Sequence, residues 1–193
     1  RRHLFGMHSP SRTADADGAG SAPAETTHHV YDGAHVWADF DAGGALLARY
    51  LYGAGLDQLL ARYRPGEGTA WYLTDHLGTV RDLADATGAI INQLTYDSFG
   101  RLLHQTTPLR GARFTYTARE FDPITGLYNY RLRHYDPATA RFTAQDPLHF
   151  AAGDTNLYRY VANSPLTFTD PWGLTAVTVY GSDVSRYGRR IGA

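Results

Sequence analysis

The sequence predicts an all-β fold made of consecutive antiparallel hairpins, and three observations carry that prediction. Fourteen tyrosines, eight phenylalanines and three tryptophans suit half-buried pleated surfaces. Twenty glycines and nine prolines punctuate a chain that turns often. Short runs of alternating apolar and polar residues recur at 35–40, 45–52, 58–64, 70–73, 79–83, 90–96 and 101–105, each of strand length. Between them lie Asp41-Ala42-Gly43-Gly44, Arg64-Pro65-Gly66, Asp85-Ala86-Thr87-Gly88 and Asp97-Ser98-Phe99-Gly100, so the runs read as a β-meander.

Residues flanking the hairpins differ in character. Residues 9–25 are rich in Ser, Ala, Gly, Thr and Asp with almost no large apolar side chain, too little to offset the entropy of ordering. Residues 1–30 are therefore expected to be disordered or linker-like. Beyond the hairpins, Leu157, Tyr160 and Val161 stand at helical spacing within 156–162, and Pro165 disfavours helix in the residue before it. One short helix is expected there.

Composition excludes several classes of function. Eighteen Lys and Arg against nineteen Asp and Glu leave a formal charge of -1, which provides no basic field for nucleic acid. The absence of cysteine excludes disulfides, thiolate metal sites and a cysteine nucleophile. No apolar run reaches the roughly 20 residues that cross a bilayer as a helix, so no membrane span is expected. No Gly-rich phosphate loop, metalloprotease helix or nucleophile elbow occurs, and no cofactor is expected. The chain opens on Arg1 and its one methionine is Met7, which suggests a piece of a longer reading frame.

The turns form an internal repeat. Residues 40–47, 84–91 and 96–103 align without gaps, sharing Asp41, Asp85 and Asp97 at the second place, glycine at the fifth and aliphatics at the seventh and eighth. Phe121-Asp122-Pro123-Ile124-Thr125-Gly126 repeats the theme with one extra residue before its glycine. Aspartate can accept backbone N–H bonds that close a turn, and glycine permits positive φ. These four aspartates are read as structural.

An aromatic-Asp pair opening a glycine-containing turn, repeated between strands, resembles the YD repeats of rearrangement hot spot (RHS) proteins. Asp75-His76-Leu77-Gly78-Thr79-Val80-Arg81 is similar to a signature of that family. Thr115 to Asp122, Thr125 to Pro137, Gln145-Asp146-Pro147, Asn156 to Pro165 and Asp170-Pro171-Trp172-Gly173-Leu174 resemble its RHS-associated core, in the right order. The resemblance runs from Tyr31 to Leu174, about three-quarters of the chain, and ordered motifs are far more specific than one pattern. It implies YD-repeat hairpins over 31–110, an RHS-associated core (plug) over 111–174, and the start of a variable C-terminal region or a short tail over 175–193. A chain of this length cannot close the family's hollow β-shell, so a fragment with open strand edges is expected.

The resemblance further implies an aspartic-type autoprotease that acts once on its own chain. The cut would fall between Leu174 and Thr175. Asp146 and Asp170 would be the catalytic pair, with Arg141 steadying charge in the same pocket. One ionised carboxylate can activate water while a protonated neighbour polarises the carbonyl, because two close carboxylates do not both ionise easily. The implied partners are an upstream YD-repeat shell and a downstream toxin region, and the implied location is secreted or cell surface. The sequence departs from the family pattern at Ala140 and His149, where glycine is usual.

The residues alone leave alternatives open. Asp-Pro is a common turn opener, so Asp146 and Asp170 also fit a non-catalytic β-scaffold. Trp37, Trp71 and Trp172, with Tyr128, Tyr130, Tyr158 and Tyr160, fit core packing or, less well, carbohydrate stacking. His28, His29 and His35 are not read as a metal site, because adjacent strand residues point to opposite faces. Asp75 and His76 are read as a hairpin corner, with His76 bonding backbone groups.

Overall fold

A computed structural model describes residues 7–10, 26–174 and 177–178. Nine strands pair in chain order, each antiparallel to the next: β1 (Met7–Pro10), β2 (Thr26–Asp32), β3 (His35–Asp41), β4 (Leu46–Tyr52), β5 (Leu59–Arg64), β6 (Gly68–Thr74), β7 (Val80–Ala84), β8 (Ile90–Tyr96) and β9 (Leu102–Gln105). Strands β3 to β9 lie on the seven alternating runs of the sequence. A four-stranded meander follows, β10 (Glu120–Asp122), β11 (Leu127–Tyr130), β12 (Arg133–Asp136) and β13 (Arg141–Phe142). The last pair is β14 (Phe168–Thr169) with β15 (Val177–Thr178). Of the segment read as a linker, Ser9 and Pro10 end β1, while residues 11–25 lie outside the described residues. Among the described residues no helix is long and apolar enough to cross a membrane.

The short helix expected over 156–162 does not form. Asn156 Oδ1 instead accepts the Tyr158 N–H at 3.1 Å, which turns the chain locally. Val161, Ala162 and Asn163 then take positive φ of 39, 51 and 59°, the opposite hand to an α-helix. The spacing of Tyr160 and Val161 reflects two buried residues on a tight left-handed turn.

Asp41, Asp75, Asp85 and Asp97 build one turn four times. In each, Oδ1 accepts the N–H groups two and four residues on: Gly43 and Ala45 at 2.9 and 2.8 Å, Leu77 and Thr79 both at 3.0 Å, Thr87 and Ala89 at 2.8 and 3.1 Å, and Phe99 and Arg101 at 2.9 and 3.0 Å. The glycine three residues on sits at φ 83, 79, 87 and 86° in turn order. The strand entering each turn slips register beside the aspartate, as between Asp39 and Phe40 or between Thr95 and Tyr96, a bulge that increases local twist. The Asp75 turn extends the repeat beyond the three gap-free copies, and His76 Nε2 meets the Leu166 carbonyl at 3.1 Å.

Two cores lie on the inner side of this scaffold. Val36, Ala48, Tyr50, Leu59, Tyr72, Val80, Leu83 and Leu94 of the sheet pack with Phe114 and Ala118. The second core is almost wholly aromatic: Tyr116, Tyr128, Tyr130, Tyr135, Phe142 and Tyr160, with Val161. Tyr130 makes edge-to-face contacts with Phe142 and Tyr160 at centroid distances of 5.8 and 5.5 Å.

Polar bonds join the two cores. Tyr116, Tyr135 and Tyr128 donate their hydroxyls to the consecutive carbonyls of Ser98, Phe99 and Gly100 at 3.3, 2.8 and 2.9 Å. Arg113 bonds Asp39 of the sheet at 2.7 Å and Glu120 of β10 at 2.7 Å. Burial alone would raise the Asp39 carboxyl, but hydrogen bonds and charge from His29 and Arg113 hold it below the usual carboxylate range. Arg62, fully buried in β5, donates to the carbonyl of Arg110 at 2.9 Å and to that of Gly111.

The β8–β9 turn is thus pressed against the tyrosine core. A Cβ added at Gly100 would lie 2.4 Å from the Tyr116 ring, whereas one at Gly88 would meet nothing within 4 Å at nearly the same φ. Gly88→Ala should cost about 1 kcal/mol for left-handed backbone alone. Gly100→Ala should cost about 3 kcal/mol once overpacking is added. Urea unfolding of the two variants checks this, and equal losses would contradict the docking described.

Candidate functional site

The two Asp-Pro motifs fold as similar turns. Asp146 accepts the Leu148 N–H at 2.8 Å through Oδ1 and the His149 N–H at 2.9 Å through its own carbonyl. Asp170 accepts the Leu174 N–H at 2.9 Å through Oδ1 and the Gly173 N–H at 3.2 Å through its carbonyl. In each turn proline fixes the first corner and one carboxylate oxygen caps the backbone. The other oxygen is directed elsewhere.

Both remaining oxygens bond one nitrogen. Arg133 Nη2 lies 3.0 Å from Asp146 Oδ2 and 3.2 Å from Asp170 Oδ2. The two carboxylates are therefore within about twice a hydrogen-bond length of each other. Nη1 donates to the Leu157 carbonyl at 3.2 Å and Nε to the Gly173 carbonyl at 2.5 Å. The Phe142 ring closes one face of the guanidinium, its centroid 3.6 Å from Cζ. Asp146, Asp170 and Arg133 are 5, 2 and 4% exposed, so all three charges are withdrawn from water.

Local sequence explains the placement. Arg133 and Tyr135 share the inward side of β12, with exposed His134 between them. Gly173 is required beside Arg133: its φ is +69°, and a Cβ there would lie 2.7 Å from the Tyr130 carbonyl. His149 and Ala140, which stand where the family pattern favours glycine, do adopt positive φ, of 50 and 58°. Each strains its backbone by about 1–2 kcal/mol relative to glycine.

A cavity of about 210 Å³ opens beside the ion cluster, lined among others by Arg133, Asp146, His149, Asp170 and Leu174. Such a space admits water. Of the expected site residues, Asp146, Asp170 and Leu174 meet here, and Thr175 lies outside the described residues. Arg141 stands elsewhere. It is exposed on β13, with its guanidinium carbon 5.6 Å from the Tyr158 ring centroid, and the cation between the aspartates is Arg133. Sequence reasoning passed over Arg133, although its strand parity with Tyr135 was a signal of an inward charge.

The remaining candidates separate by burial. Tyr128, Tyr130 and Tyr160 are core residues. Trp37 and Trp71 are partly exposed and line a shallow groove with Tyr63 on β5. His29 lies 2.7 Å from Asp39, and His35 stacks on Tyr52 with centroids 4.4 Å apart.

The chain resembles proteins of varied organisms. It is 38% identical over 109 residues to Salivary gland surface protein 1 of Aedes aegypti, covering 55% of this chain and 3% of that protein. It is 36% identical over 106 residues to Toxin protein Tse5 of Pseudomonas aeruginosa, covering 54% of this chain and 8% of that protein. The crystal structure of TcdB2-TccC3-TEV superposes on 81% of the chain and 8% of its own length, with a TM-score of 0.65 at 22% identity, a likeness of fold. The chain therefore spans a small part of these relatives. The model of the Teneurin YD-shell family matches residues 40–166, well over half of the chain. The protein belongs to the YD-shell family of RHS/YD-repeat proteins.

Proposed function

We propose that this chain is the end of an RHS β-shell at which the protein cuts itself once, between Leu174 and Thr175, to free a C-terminal effector. The convergence of Asp146 and Asp170 on Arg133, beside a cavity that Leu174 also lines, is the observation that supports this most. A water in that cavity would add to the Leu174 carbonyl carbon. One carboxylate takes the water's proton while the other, protonated, donates to the leaving nitrogen of Thr175, whose bond to Leu174 breaks. A Leu174 carboxylate and a new amino terminus at Thr175 result. With one carboxyl protonated, the two acids and the one arginine together carry no net charge. Effector release and a secreted or surface location follow from the same reading, in keeping with a relative named as a toxin and another named as a surface protein.

A second reading has its own support. Both Oδ1 atoms already cap turns and both Oδ2 atoms already bond Arg133, so the cluster also suffices as a clamp without chemistry.

The two readings differ in outcome. Intact-mass measurement of the purified chain should show a break before Thr175 that disappears in Asp146→Asn and in Asp170→Asn. A product of full mass in all three favours the clamp. Under either reading Arg133→Met should lose about 3–5 kcal/mol in urea unfolding, because two buried carboxylates lose their cation. A loss below about 1 kcal/mol, the scale of an exposed pair, would mean the site is open to water.

A further inference from the structure

A second buried carboxylate acts on the Asp170 turn from the far side. Asp57 lies in the link between β4 and β5, 8% exposed and at φ +56°, a conformation that aspartate tolerates better than most residues. Its Oδ1 and Oδ2 receive Nη2 and Nη1 of Arg131 at 2.6 and 3.1 Å, a two-pronged pairing. Arg119 Nη2 bonds the same carboxylate, and His35 Nε2 lies 3.4 Å away. Both arginines continue to one acceptor: Arg131 Nη1 and Arg119 Nη1, the latter at 3.5 Å, donate to the carbonyl of Pro171. The Arg131 guanidinium also covers the Trp172 ring at 4.5 Å.

Asp57 thereby grips, through two cations, the residues that directly follow Asp170. Its charge offsets the repulsion between the two arginines. Two guanidinium groups at one carbonyl repel each other, and with side chains 8 and 15% exposed they have little water to screen them. Pro171 and Trp172 directly follow Asp170 in the turn that its carbonyl and Oδ1 close onto Gly173 and Leu174, so a grip on the Pro171 carbonyl restrains that turn.

We infer that Asp57 is a positioning residue, through which the docked YD sheet holds the Asp170 turn in its working geometry. The inference rests on the self-cleavage reading and makes that cleavage conditional on the sheet being seated: a core that has not docked lacks the Asp57 grip on Pro171. Among the described residues the Asp57 carboxylate bonds Arg119, Arg131 and His35 rather than Arg133, so its effect passes through Arg119 and Arg131.

The test uses the 193-residue chain. Asp57→Asn keeps the shape and removes the charge, and should slow appearance of the Thr175 terminus by about tenfold or more. Arg131→Lys, which cannot bond Asp57 and Pro171 together while covering Trp172, should slow it as well. Leu59→Ala serves as the stability control, opening a cavity near Asp57 without touching either arginine, and should cut at the wild-type rate. The indole N–H resonance of Trp172, followed in an uncut Asp146→Asn background, should shift with Asp57→Asn and Arg131→Lys and stay in place with Leu59→Ala. Folded Asp57→Asn and Arg131→Lys chains that cut at the wild-type rate would overturn the inference, as would a loss of rate that Leu59→Ala matches. A wild-type chain that never cuts defeats the self-cleavage reading instead, and the Trp172 resonance then decides alone: if it does not move, the positioning role is overturned.

Discussion

The arrangement of the core depends on a cation held out of water between two carboxylates. Arg133 would lose several kcal/mol of hydration on burial, and only neighbours with matched geometry can offset that loss. It has them on every side: Asp146, Asp170, the carbonyls of Leu157 and Gly173, and the face of Phe142. These neighbours come from four stretches of chain, Asp170 and Gly173 sharing one turn, so satisfying one side chain fixes the mutual positions of β12, β13, the Leu157 segment and the two Asp-Pro turns. The Asp-Pro turns contribute by using one carboxylate oxygen for the backbone and leaving the second for the arginine.

The sheet and the core meet through polar bonds set in apolar surroundings. Three tyrosine hydroxyls cap the carbonyls of the Asp97 turn, Arg113 joins Asp39 to Glu120, and Asp57 reaches the Asp170 turn through Arg119 and Arg131. Apolar packing alone would let the core slide along the sheet at small cost. A displaced carboxylate or hydroxyl would instead be left buried without a partner, which costs more than the bond itself contributes. These links make the docking specific, and they explain why so much of the aromatic core is tyrosine rather than phenylalanine.

How far the sequence revealed this follows from the range of the forces involved. Strands β3 to β9 and the Asp41, Asp85 and Asp97 turns were legible because alternation and the Asp-Gly pattern act within a few residues. Asp146, Asp170 and Leu174 could be named together only through the family resemblance, since nothing local indicates that turns so far apart converge. Strand parity with Tyr135 marked Arg133 as inward but not what it would meet, and Asp57 carried no such local signal, the partners of both lying on other elements. The helix expected over 156–162 failed because spacing alone does not report handedness, and Val161 to Asn163 turn the other way. Arg141 was implied as the cation by the family resemblance, whereas strand parity sends Arg133 inward and leaves Arg141 exposed.

The most direct test of the account is a double-mutant cycle in stability between Asp146→Asn and Asp170→Asn, repeated in an Arg133→Met background. If both carboxylates serve the same guanidinium, losing the second strands a cation that the first loss left paired, and the two changes should couple by about 1 kcal/mol or more. Without Arg133 that coupling should vanish. Additive losses within about 0.5 kcal/mol in the parent chain, or coupling that survives Arg133→Met, would contradict the shared cation at the centre of the structure.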